Sequence, residues 1–534
     1  MDASPTVAEA VAREIARFGV ERVFGFPGGG GNLDVMDALG RAGVEFVLTR
    51  TEGSAALMGC AHAELTGQPA VVIVGSGPGL ASVVNGVAHA HLDRVPMVVI
   101  SDRQSPGEIA TTGHQVLDQR ALLAPITKWG ATLEPAGAAT TVRAALTAAA
   151  TPPRGPVHLD LPRTTASAPA TAGPPRDEPP REPPHDLGPI QQGLSDAVRP
   201  LLLIGLEAVR AVDQRDVVEI ARRLRCPVLT TYKAKGVFPE SHDQWAGILT
   251  GGEIERPLLD RADALLGLGL DPVELLTRPW SSAAPLYSLR EHDVQDAYFD
   301  PAASAAGPLG ELTALLARGL PERTAGTWAR EEIAASRDGV MEAFGGGDSL
   351  DAAAIVTTVR RQVPASAIVT VDAGAHMFGV TTLWRAERPG RFLISNGLAT
   401  MGFALPAAIA AAAANPDAVV VAFTGDGGLA YNLAELETAQ RLGLRVVVVV
   451  FNDSSLSLIR IKLEAGGGPG SALDLRETDF AALARGFGCA GEVVRTPQEL
   501  ADAVAAAVAR ERSTVIDARI AGSEYGALLK LIRG

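Results

Sequence analysis

Residues 419–458 constrain the fold of this chain more than any other stretch. Two apolar runs rich in β-branched residues, 419–424 and 446–451, flank an amphipathic segment of helical length, 429–442. Buried parallel strands are apolar throughout and β-branched residues favour them, so we predict a βαβ unit with both strands in one parallel sheet. The carboxyl ends of such strands meet at one edge of the sheet, where open α/β folds bind ligands.

An acidic residue stands directly after each of the two predicted strands. Asp426 lies within a Gly-Asp-Gly-Gly sequence, and Asp453 follows Asn452. We expect the two carboxylates side by side, next to glycines that let a phosphate approach the backbone. Mg²⁺ is usually held by one or two carboxylates together with phosphate oxygens, so the pair predicts a magnesium site. Either Asp taken alone is better explained as a helix cap.

Length and composition restrict the class of protein. A chain of 534 residues suggests about three domains at ~150 residues each, and 47% hydrophobic residues suffice for large cores. The net charge of −14 argues against nucleic acid or an anionic membrane as partner. Cys60, Cys226 and Cys489 are too few and too scattered for a disulfide framework or a zinc site. With no signal peptide and no apolar run of spanning length, we expect a cytoplasmic protein.

Helix-period and strand-period segments alternate along the whole chain, which predicts α/β architecture with doubly wound parallel sheets. Proline-rich sequence at 166–190 marks the clearest boundary, and a run of glycines at 345–347 closes a second connection. The predicted organisation is an α/β domain (1–165), a linker (166–190), a central α/β domain (191–323), a connecting segment (324–349) and a third α/β domain (350–534).

The segment 71–82 combines a strand, a glycine-rich turn and a helix, and so invites a dinucleotide-binding interpretation that would make the protein a dehydrogenase. Pro78 stands where backbone N–H groups should wrap a pyrophosphate, and the third glycine comes one residue early. Asp93, the nearest acidic residue about twenty positions on, precedes its strand instead of ending it. A tight turn between strand and helix explains the segment better.

Several further motifs resemble, in order, the thiamine diphosphate (ThDP)-dependent 2-oxoacid enzymes, and most of all the large subunit of acetohydroxyacid (acetolactate) synthase. Glu52, which alone would be taken for a partner of a helix dipole, matches the catalytic glutamate of that family. The other matching segments are 25–29, 76–79, 112–115 followed by Lys128 and Trp129, 374–376, 396–406 and the paired acidic sites.

The resemblance implies three doubly wound parallel-sheet domains, namely pyrimidine-binding, central and diphosphate-binding, and it implies a mechanism. Glu52 would promote the imino tautomer of the aminopyrimidine ring, which removes the thiazolium C2 proton. The ylid would attack a 2-oxoacid, and the enamine left after loss of CO₂ would be protonated or joined to an acceptor. Met401 would keep the cofactor bent. The expected unit is a homodimer, or a dimer of dimers, with the site at the subunit interface.

Residue roles carry over from the family motifs. The expected catalytic residues are Glu52, His114 and Gln115. The expected ThDP contacts are Phe26, Pro27, Glu52, Pro78, Ser82, Gly374, Ala375, His376, Ala399, Met401, Gly425, Asp426, Gly427, Gly428, Asp453 and Ser455. The expected Mg²⁺ ligands are Asp426, Asp453 and the Ser455 carbonyl, and the expected substrate contacts are Gly28, His114 and Lys462.

The chain departs from the synthases around the substrate. His114 replaces a phenylalanine, while Ser82 and Ala375 replace larger amides. Lys462 stands in place of a tryptophan that faces the second-substrate pocket, and a cation there would favour a substrate with a second anionic group. Arg460 and Lys462 alternate along the chain, so at most one should face inwards; an exposed helix face is the alternative for both.

Further departures concern FAD, which acetohydroxyacid synthases bind in the central domain. Segments 231–236 and 267–274 differ from the synthase versions, which makes FAD doubtful, and little chain follows Tyr525 to cover a site. A catabolic or specialised decarboxylase or carboligase is therefore favoured over a biosynthetic synthase. A ThDP lyase for an acidic 2-oxoacid, or a non-catalytic or regulatory relative, is the alternative. The non-catalytic relative would be expected to have lost Glu52 or the Asp426–Asp453 pair.

Overall fold

The computed structural model describes residues 4–173, 186–274, 280–292, 298–324, 326–343, 349–522 and 525–533. Within these ranges the chain forms three six-stranded sheets, and the paired strands are parallel in each. This confirms the predicted α/β class with three parallel sheets. The residues divide into two compact units: Met1–Arg181, Pro406–Asn415 and Asn432–Leu442 form the first, and Glu182–Leu405, Pro416–Tyr431 and Gly443–Gly534 form the second.

The first sheet lies in the first unit. Its strands are β1 (Arg22–Phe26), β2 (Glu45–Leu48), β3 (Ala70–Val74), β4 (Met97–Arg103), β5 (Gly130–Thr132) and β6 (Pro156–Pro162). They are arranged in the order β2-β1-β3-β4-β6-β5. The accompanying helices are α1 (Val7–Arg17), α2 (Asn32–Arg41), α3 (Glu52–Thr66), α4 (Pro78–Leu92), α5 (Pro106–Ile109), α6 (Gln119–Leu123) and α7 (Ala138–Ala150). All five residues of β3 are apolar and buried, as expected for a central parallel strand.

The second sheet belongs to the second unit. Its strands are β7 (Pro200–Ile204), β8 (Val228–Thr230), β9 (Trp245–Ile248), β10 (Ala264–Leu268), β11 (Leu286–Arg290) and β12 (Ala303–Ala306). The order β9-β8-β7-β10-β11-β12 is the doubly wound order of dinucleotide-binding folds. The helices are α8 (Gly188–Asp196), α9 (Ala208–Ala211), α10 (Gln214–Leu224), α11 (Arg256–Leu259), α12 (Leu309–Gly319) and α13 (Arg330–Ala343).

The third sheet also belongs to the second unit and repeats the strand order of the first. Its strands are β13 (Ile368–Val371), β14 (Phe392–Ile394), β15 (Val420–Gly425), β16 (Val447–Asn452), β17 (Ala490–Val494) and β18 (Thr514–Arg519), arranged β14-β13-β15-β16-β18-β17. The helices are α14 (Ala352–Gln362), α15 (Ala375–Leu383), α16 (Ala404–Ala414), α17 (Asp426–Asn432), α18 (Glu435–Arg441), α19 (Ser457–Ala465), α20 (Phe480–Gly486), α21 (Pro497–Ala509) and α22 (Tyr525–Arg533).

The βαβ unit predicted from residues 419–458 is present, because β15 and β16 are adjacent and parallel, with Gly425 opposite Phe451. The segment between them was predicted as one helix and instead forms two, α17 and α18. At the break, the side chain of Asn432 accepts a hydrogen bond from Ser54 Oγ at 2.9 Å. The break falls where the chain passes from the second compact unit to residues 432–442 of the first, which a helical periodicity does not reveal.

The predicted connections are described in part. The linker prolines 174, 175, 179, 180, 183 and 184 and the glycines 345–347 lie outside the described residues. Within the connecting segment 324–349, residues Arg330–Ala343 form α13. The boundaries drawn from the sequence stay predictions.

Two expectations from composition concern thiols and membranes. Cys60, Cys226 and Cys489 are buried and form no disulfide. Across the described ranges, helices fall short of the length and apolar character needed to cross a membrane.

Candidate active site

Three neighbouring strands of the third sheet are each followed by an aspartate. Asp372 follows β13, Asp426 follows β15, and Asp453 follows β16. Because β13, β15 and β16 are consecutive and parallel, the three carboxyl groups lie at one edge of the sheet.

Asp426 is buried and Asp453 is half-buried. Burial, together with the neighbouring charge of Asp453, raises the pKa of Asp426 to about 6. Burial likewise raises the pKa of Asp453. Capping does not account for the pair, because the N-cap of α19 is Leu456 and not Asp453. Two carboxylates that repel each other, one buried and one half-buried, suit a divalent cation, which would remove that repulsion.

Two glycines in the turns beside these carboxylates are closely packed against neighbouring side chains. A Cβ atom at Gly428 would lie 2.6 Å from Asp372 Oδ2 and 2.9 Å from Thr424 Oγ1. A Cβ atom at Gly374 would lie 2.8 Å from the ring of His376. A side chain at either position would collide with these atoms, so close packing favours glycine at both.

Gly374 and Gly428 line a cleft of about 460 Å³ within the second unit, a size typical of small-molecule sites. It brings together every predicted residue of the diphosphate and metal end. They are Gly374, Ala375, His376, Ala399, Met401, Gly425, Asp426, Gly427, Gly428, Asp453 and Ser455.

His376 places a buried imidazole in the cleft wall. Burial lowers its pKa to about 3, so the ring is neutral, and it stacks on Phe451 with centroids 5.1 Å apart. Its Nε2 has no hydrogen-bond partner among the described residues. A buried nitrogen in this position needs a polar partner from the cleft, which a diphosphate group or its water would provide.

Asp372 is a site residue that the sequence analysis missed. It is buried, and it accepts hydrogen bonds from the N–H groups of Ala373 at 2.9 Å and Gly402 at 2.8 Å, and from Thr424 Oγ1 at 2.9 Å. It thereby fixes the loop that carries Met401. The signal was available, because Asp372 ends its strand just as Asp426 and Asp453 end theirs.

The two basic residues of α19 differ in their surroundings. Arg460 donates to Ser455 Oγ at 2.9 Å and forms an ion pair with Asp474. Lys462 lines the cleft together with Tyr525 and Leu529 of α22. Of the two cations, Lys462 is thus the one at the cleft.

The residues predicted for the pyrimidine end lie in the first unit. Phe26 ends β1 and is 42% exposed, and Pro27 and Gly28 follow it. Pro78 and Ser82 are exposed on the first turns of α4.

The glycine-rich turn that follows β1 rests on a carboxylate from β4. A Cβ atom at Gly28 would lie 2.8 Å from Asp102 Oδ2, and the N–H of Asn32 donates to Asp102 Oδ1 at 2.9 Å. Burial raises the pKa of Asp102 to about 6.

Glu52 is the first residue of α3 and is half-buried. The Thr51 side chain caps the helix by accepting from Ser54 N–H at 3.1 Å. The N–H groups of Arg50 and Thr51 donate to Glu435 Oε1 at 2.9 and 3.2 Å, so a buried carboxylate fixes the backbone that presents Glu52. Glu435 is more than 380 positions away in sequence, and no local pattern indicated this role.

His114 and Gln115 lie exposed in the loop between α5 and α6, and Gln115 has a φ of +57°. The side chain of Gln119 anchors this loop, because it accepts from Gly77 N–H at 3.2 Å and donates to Asp160 Oδ1 at 2.7 Å. The Gly77 N–H, which would bind the pyrophosphate of a dinucleotide, therefore already has a hydrogen-bond acceptor. This agrees with a βα turn and not with a dehydrogenase site.

The second sheet has the strand order of dinucleotide-binding folds, whose crevice at the carboxyl ends of the strands is where FAD would bind. After β7, the N–H of Leu206 donates to Glu274 Oε2 at 2.8 Å. A Cβ atom at Gly205 would lie 2.7 Å from the same oxygen. Burial raises the pKa of Glu274 to about 8. Within the described residues, a carboxyl group of the chain itself occupies the position where a pyrophosphate would bind, so the crevice does not fit FAD.

Comparisons with known proteins agree on one family. Residues 5–122 match the N-terminal TPP binding domain of thiamine pyrophosphate enzymes, residues 189–287 match their central domain, and residues 372–518 match their C-terminal TPP binding domain. The acetolactate synthase large subunit of Corynebacterium glutamicum is 30% identical over 96% of this chain and 86% of that protein. That of Haemophilus influenzae is 28% identical over 97% and 95%.

A solved structure has the same fold. The thiamine diphosphate-dependent 4-hydroxybenzoylformate decarboxylase of Rhodococcus jostii RHA1 superimposes with a TM-score of 0.85. The match covers 96% of this chain and 99% of that one at 23% identity.

Proposed function

The chain belongs to the thiamine pyrophosphate enzyme family, close to acetolactate synthase, and from this premise we propose that it decarboxylates a 2-oxoacid with ThDP and Mg²⁺. The remaining fragment is then protonated or joined to an acceptor carbonyl. The observation that carries this proposal is the pair of neighbouring carboxyl groups, the buried Asp426 and the half-buried Asp453, in a cleft that His376 and the glycine turns also line.

The metal end of the cleft is assigned by its chemistry. Asp426 and Asp453 would hold Mg²⁺ through their carboxylates, and Ser455 through its carbonyl, because Mg²⁺ prefers hard oxygen ligands. Backbone groups at 374–375, 399 and 425–428 and the unpartnered His376 Nε2 would hold the diphosphate. Met401, fixed through Asp372, would orient the ring system against the cleft wall, a task suited to a large apolar side chain.

The chemistry divides between cofactor and protein. ThDP, when bound, supplies the electron sink for the bond to the departing CO₂. Glu52 would hold a proton at its carboxylate next to the pyrimidine ring, and Phe26, Pro27, Pro78 and Ser82 would line the pyrimidine end. Gln115 and His114 would bind the substrate near Gly28, His114 as a hydrogen-bond donor.

We propose a homodimer, or a dimer of dimers, as the working unit. Glu52 belongs to the first compact unit and the cleft to the second, and the first unit exposes Phe26, Leu117 and Leu122 at 40–49%. A second subunit would cover large apolar side chains of this kind. We further propose that the enzyme works without FAD, which the Glu274 carboxyl supports; the purified protein should show no flavin absorbance, and a stoichiometric flavin would contradict this.

The proposal is tested by incubating the purified protein with ThDP, Mg²⁺ and a panel of 2-oxoacids that begins with pyruvate. CO₂ release and product mass are followed together. Acetolactate would identify a carboligase and acetaldehyde a decarboxylase. Glu52→Gln should abolish turnover yet bind ThDP, and Asp426→Asn should lose ThDP binding. ThDP binding without turnover of any 2-oxoacid would instead support a non-catalytic relative.

A further inference from the structure

The cleft of the second unit is polar at one end and apolar at the other. Asp426, Asp453 and the glycine turns form the polar end. The helix α19 begins beside it and contributes Leu458 and Ile459, and α22 contributes Leu529. A molecule that fills the cleft therefore meets charge at the metal end and methyl groups farther along.

Lys462 is the cation of the apolar end. It follows Leu458 by four residues and Ile459 by three, so the three side chains share one face of α19. Ser457 begins the helix, and a rise of 1.5 Å per residue puts the Lys462 backbone about 7 Å farther along its axis. On this face Leu458 and Ile459 lie between Lys462 and the start of the helix, where the Ser457 hydroxyl donates to Asp453.

The charge of Lys462 is not matched by a carboxylate in the part of the chain that the structure describes. Among the described residues, no carboxylate lies within 4.0 Å of its Nζ, whereas Arg460 is paired with Asp474. The side chain is exposed at the cleft, in a chain whose net charge is −14. An unmatched cation at the end of an apolar wall suits a ligand that carries an anionic group beyond a short methylene chain.

We propose that Lys462 makes this enzyme selective for 2-oxoacids that end in a second anionic group, such as a second carboxylate. This inference rests on the proposed 2-oxoacid decarboxylation. The apolar wall would contact the methylenes, and the Lys462 ammonium would bind the terminal anion. A neutral 2-oxoacid of equal length would make the same apolar contacts and leave the ammonium group in water.

The test compares substrates that differ only at the far end: 2-oxoglutarate with 2-oxovalerate, and oxaloacetate with 2-oxobutyrate. In each pair we expect the diacid to have a KM about tenfold lower. Lys462→Met should remove that preference by raising KM for the diacid. The kcat should be nearly unchanged, because the ammonium group would bind the terminal anion equally in the ground state and in the transition state. Lys462→Arg should keep it. Lys530→Met is the matched control, since Lys530 is an exposed lysine of α22 that does not line the cleft.

A binding measurement decides the inference independently of turnover. 2-Hydroxyglutarate and 2-hydroxyvalerate have no keto group and cannot react, and their affinities for the ThDP- and Mg²⁺-loaded protein can be measured by calorimetry. The diacid should bind about tenfold more tightly in the wild type and in Lys530→Met, but not in Lys462→Met.

Two results would overturn the inference: equal affinity for both hydroxyacids, or a loss of ThDP affinity in Lys462→Met, which would make the lysine a cofactor ligand. Absence of turnover with every 2-oxoacid would overturn the proposed function alone, because the titration still reports on Lys462.

Discussion

Asp372 accepts a hydrogen bond from the backbone N–H of Gly402 at 2.8 Å. This bond ties the loop that contains Met401 to the end of β13, at the edge of the sheet where Asp426 and Asp453 lie. The carboxyl group is buried, and burial raises its pKa to about 6. An acidic group retained in such a place indicates that the shape of the loop depends on it.

Asp372→Ala should weaken ThDP binding at least about tenfold, because the N–H groups of Gly402 and Ala373 and the Thr424 hydroxyl lose their acceptor. Asp372→Asn retains one acceptor oxygen and should lose less. Quenching of protein fluorescence by added ThDP measures the affinity. Asp417→Ala, at an exposed aspartate in the same sheet domain, should bind as the wild type does. Unchanged affinity in Asp372→Ala would show that the loop holds its position without this bond.

Local patterns were sufficient for much of the fold and for the metal end of the site. The apolar runs at β15 and β16 predicted adjacent parallel strands, and the aspartates that follow them were placed at one edge on that basis alone. Asp372 obeys the same rule but lacks the Gly-Asp-Gly and Asn-Asp motifs that mark the other two aspartates. Helix periodicity also failed at the break between α17 and α18.

Other contacts were not accessible from the sequence, for a physical reason. Glu435 binds the backbone of Arg50 and Thr51 across more than 380 positions, and the pairing depends on how the chain packs and not on spacing. Similarly, the Glu274 side chain, which follows β10, accepts a hydrogen bond from the N–H of Leu206, which follows the neighbouring strand β7, and no periodicity in the sequence indicates this contact. Patterns therefore predict the strand ends, whereas contacts between distant segments require the structure.

Stability should depend on pH through Asp102, whose pKa is raised from 3.8 to about 6 by burial beneath the glycine turn. The folded state holds this proton more tightly than the unfolded state. The contribution of Asp102 is therefore greatest below pH ~4 and is lost as the pH rises through ~6. Asp102→Asn cannot ionise, so its free energy of unfolding should rise relative to the wild type by about 2–3 kcal/mol between pH 4 and pH 7.

Urea unfolding of both proteins across this pH range measures the difference. Asp37→Asn, at an exposed aspartate of α2, is the control and should follow the wild type at every pH. A wild-type and Asp102→Asn difference that stays constant with pH would mean that Asp102 keeps an ordinary pKa in the folded protein.

Mg²⁺ affinity should fall as the pH falls. Burial and the charge of Asp453 raise the pKa of Asp426 to about 6, and a carboxyl group must lose its proton before it binds the metal. Because Mg²⁺ must displace one proton from Asp426, we expect its affinity to fall about tenfold for each pH unit below pH 6. Titration of Mg²⁺ into protein and ThDP at several pH values measures it, with Mg²⁺ removal by a chelator as the baseline. An affinity independent of pH between 5 and 7 would exclude Asp426 as a ligand.

Two inactive variants should restore activity when they are mixed, if the site is shared between subunits. Glu52→Gln removes the proton-holding carboxylate from the first unit, and Asp426→Ala removes a metal ligand from the second. In a mixed dimer, one site combines the intact Glu52 of one chain with the intact Asp426 of the other, and the second site carries both defects. Random association gives half mixed dimers, so about a quarter of the wild-type activity should return. The measurement is CO₂ release after the two proteins are dissociated and reassociated together, compared with each protein treated alone. A mixture as inactive as its components would place Glu52 and Asp426 of one site on the same chain.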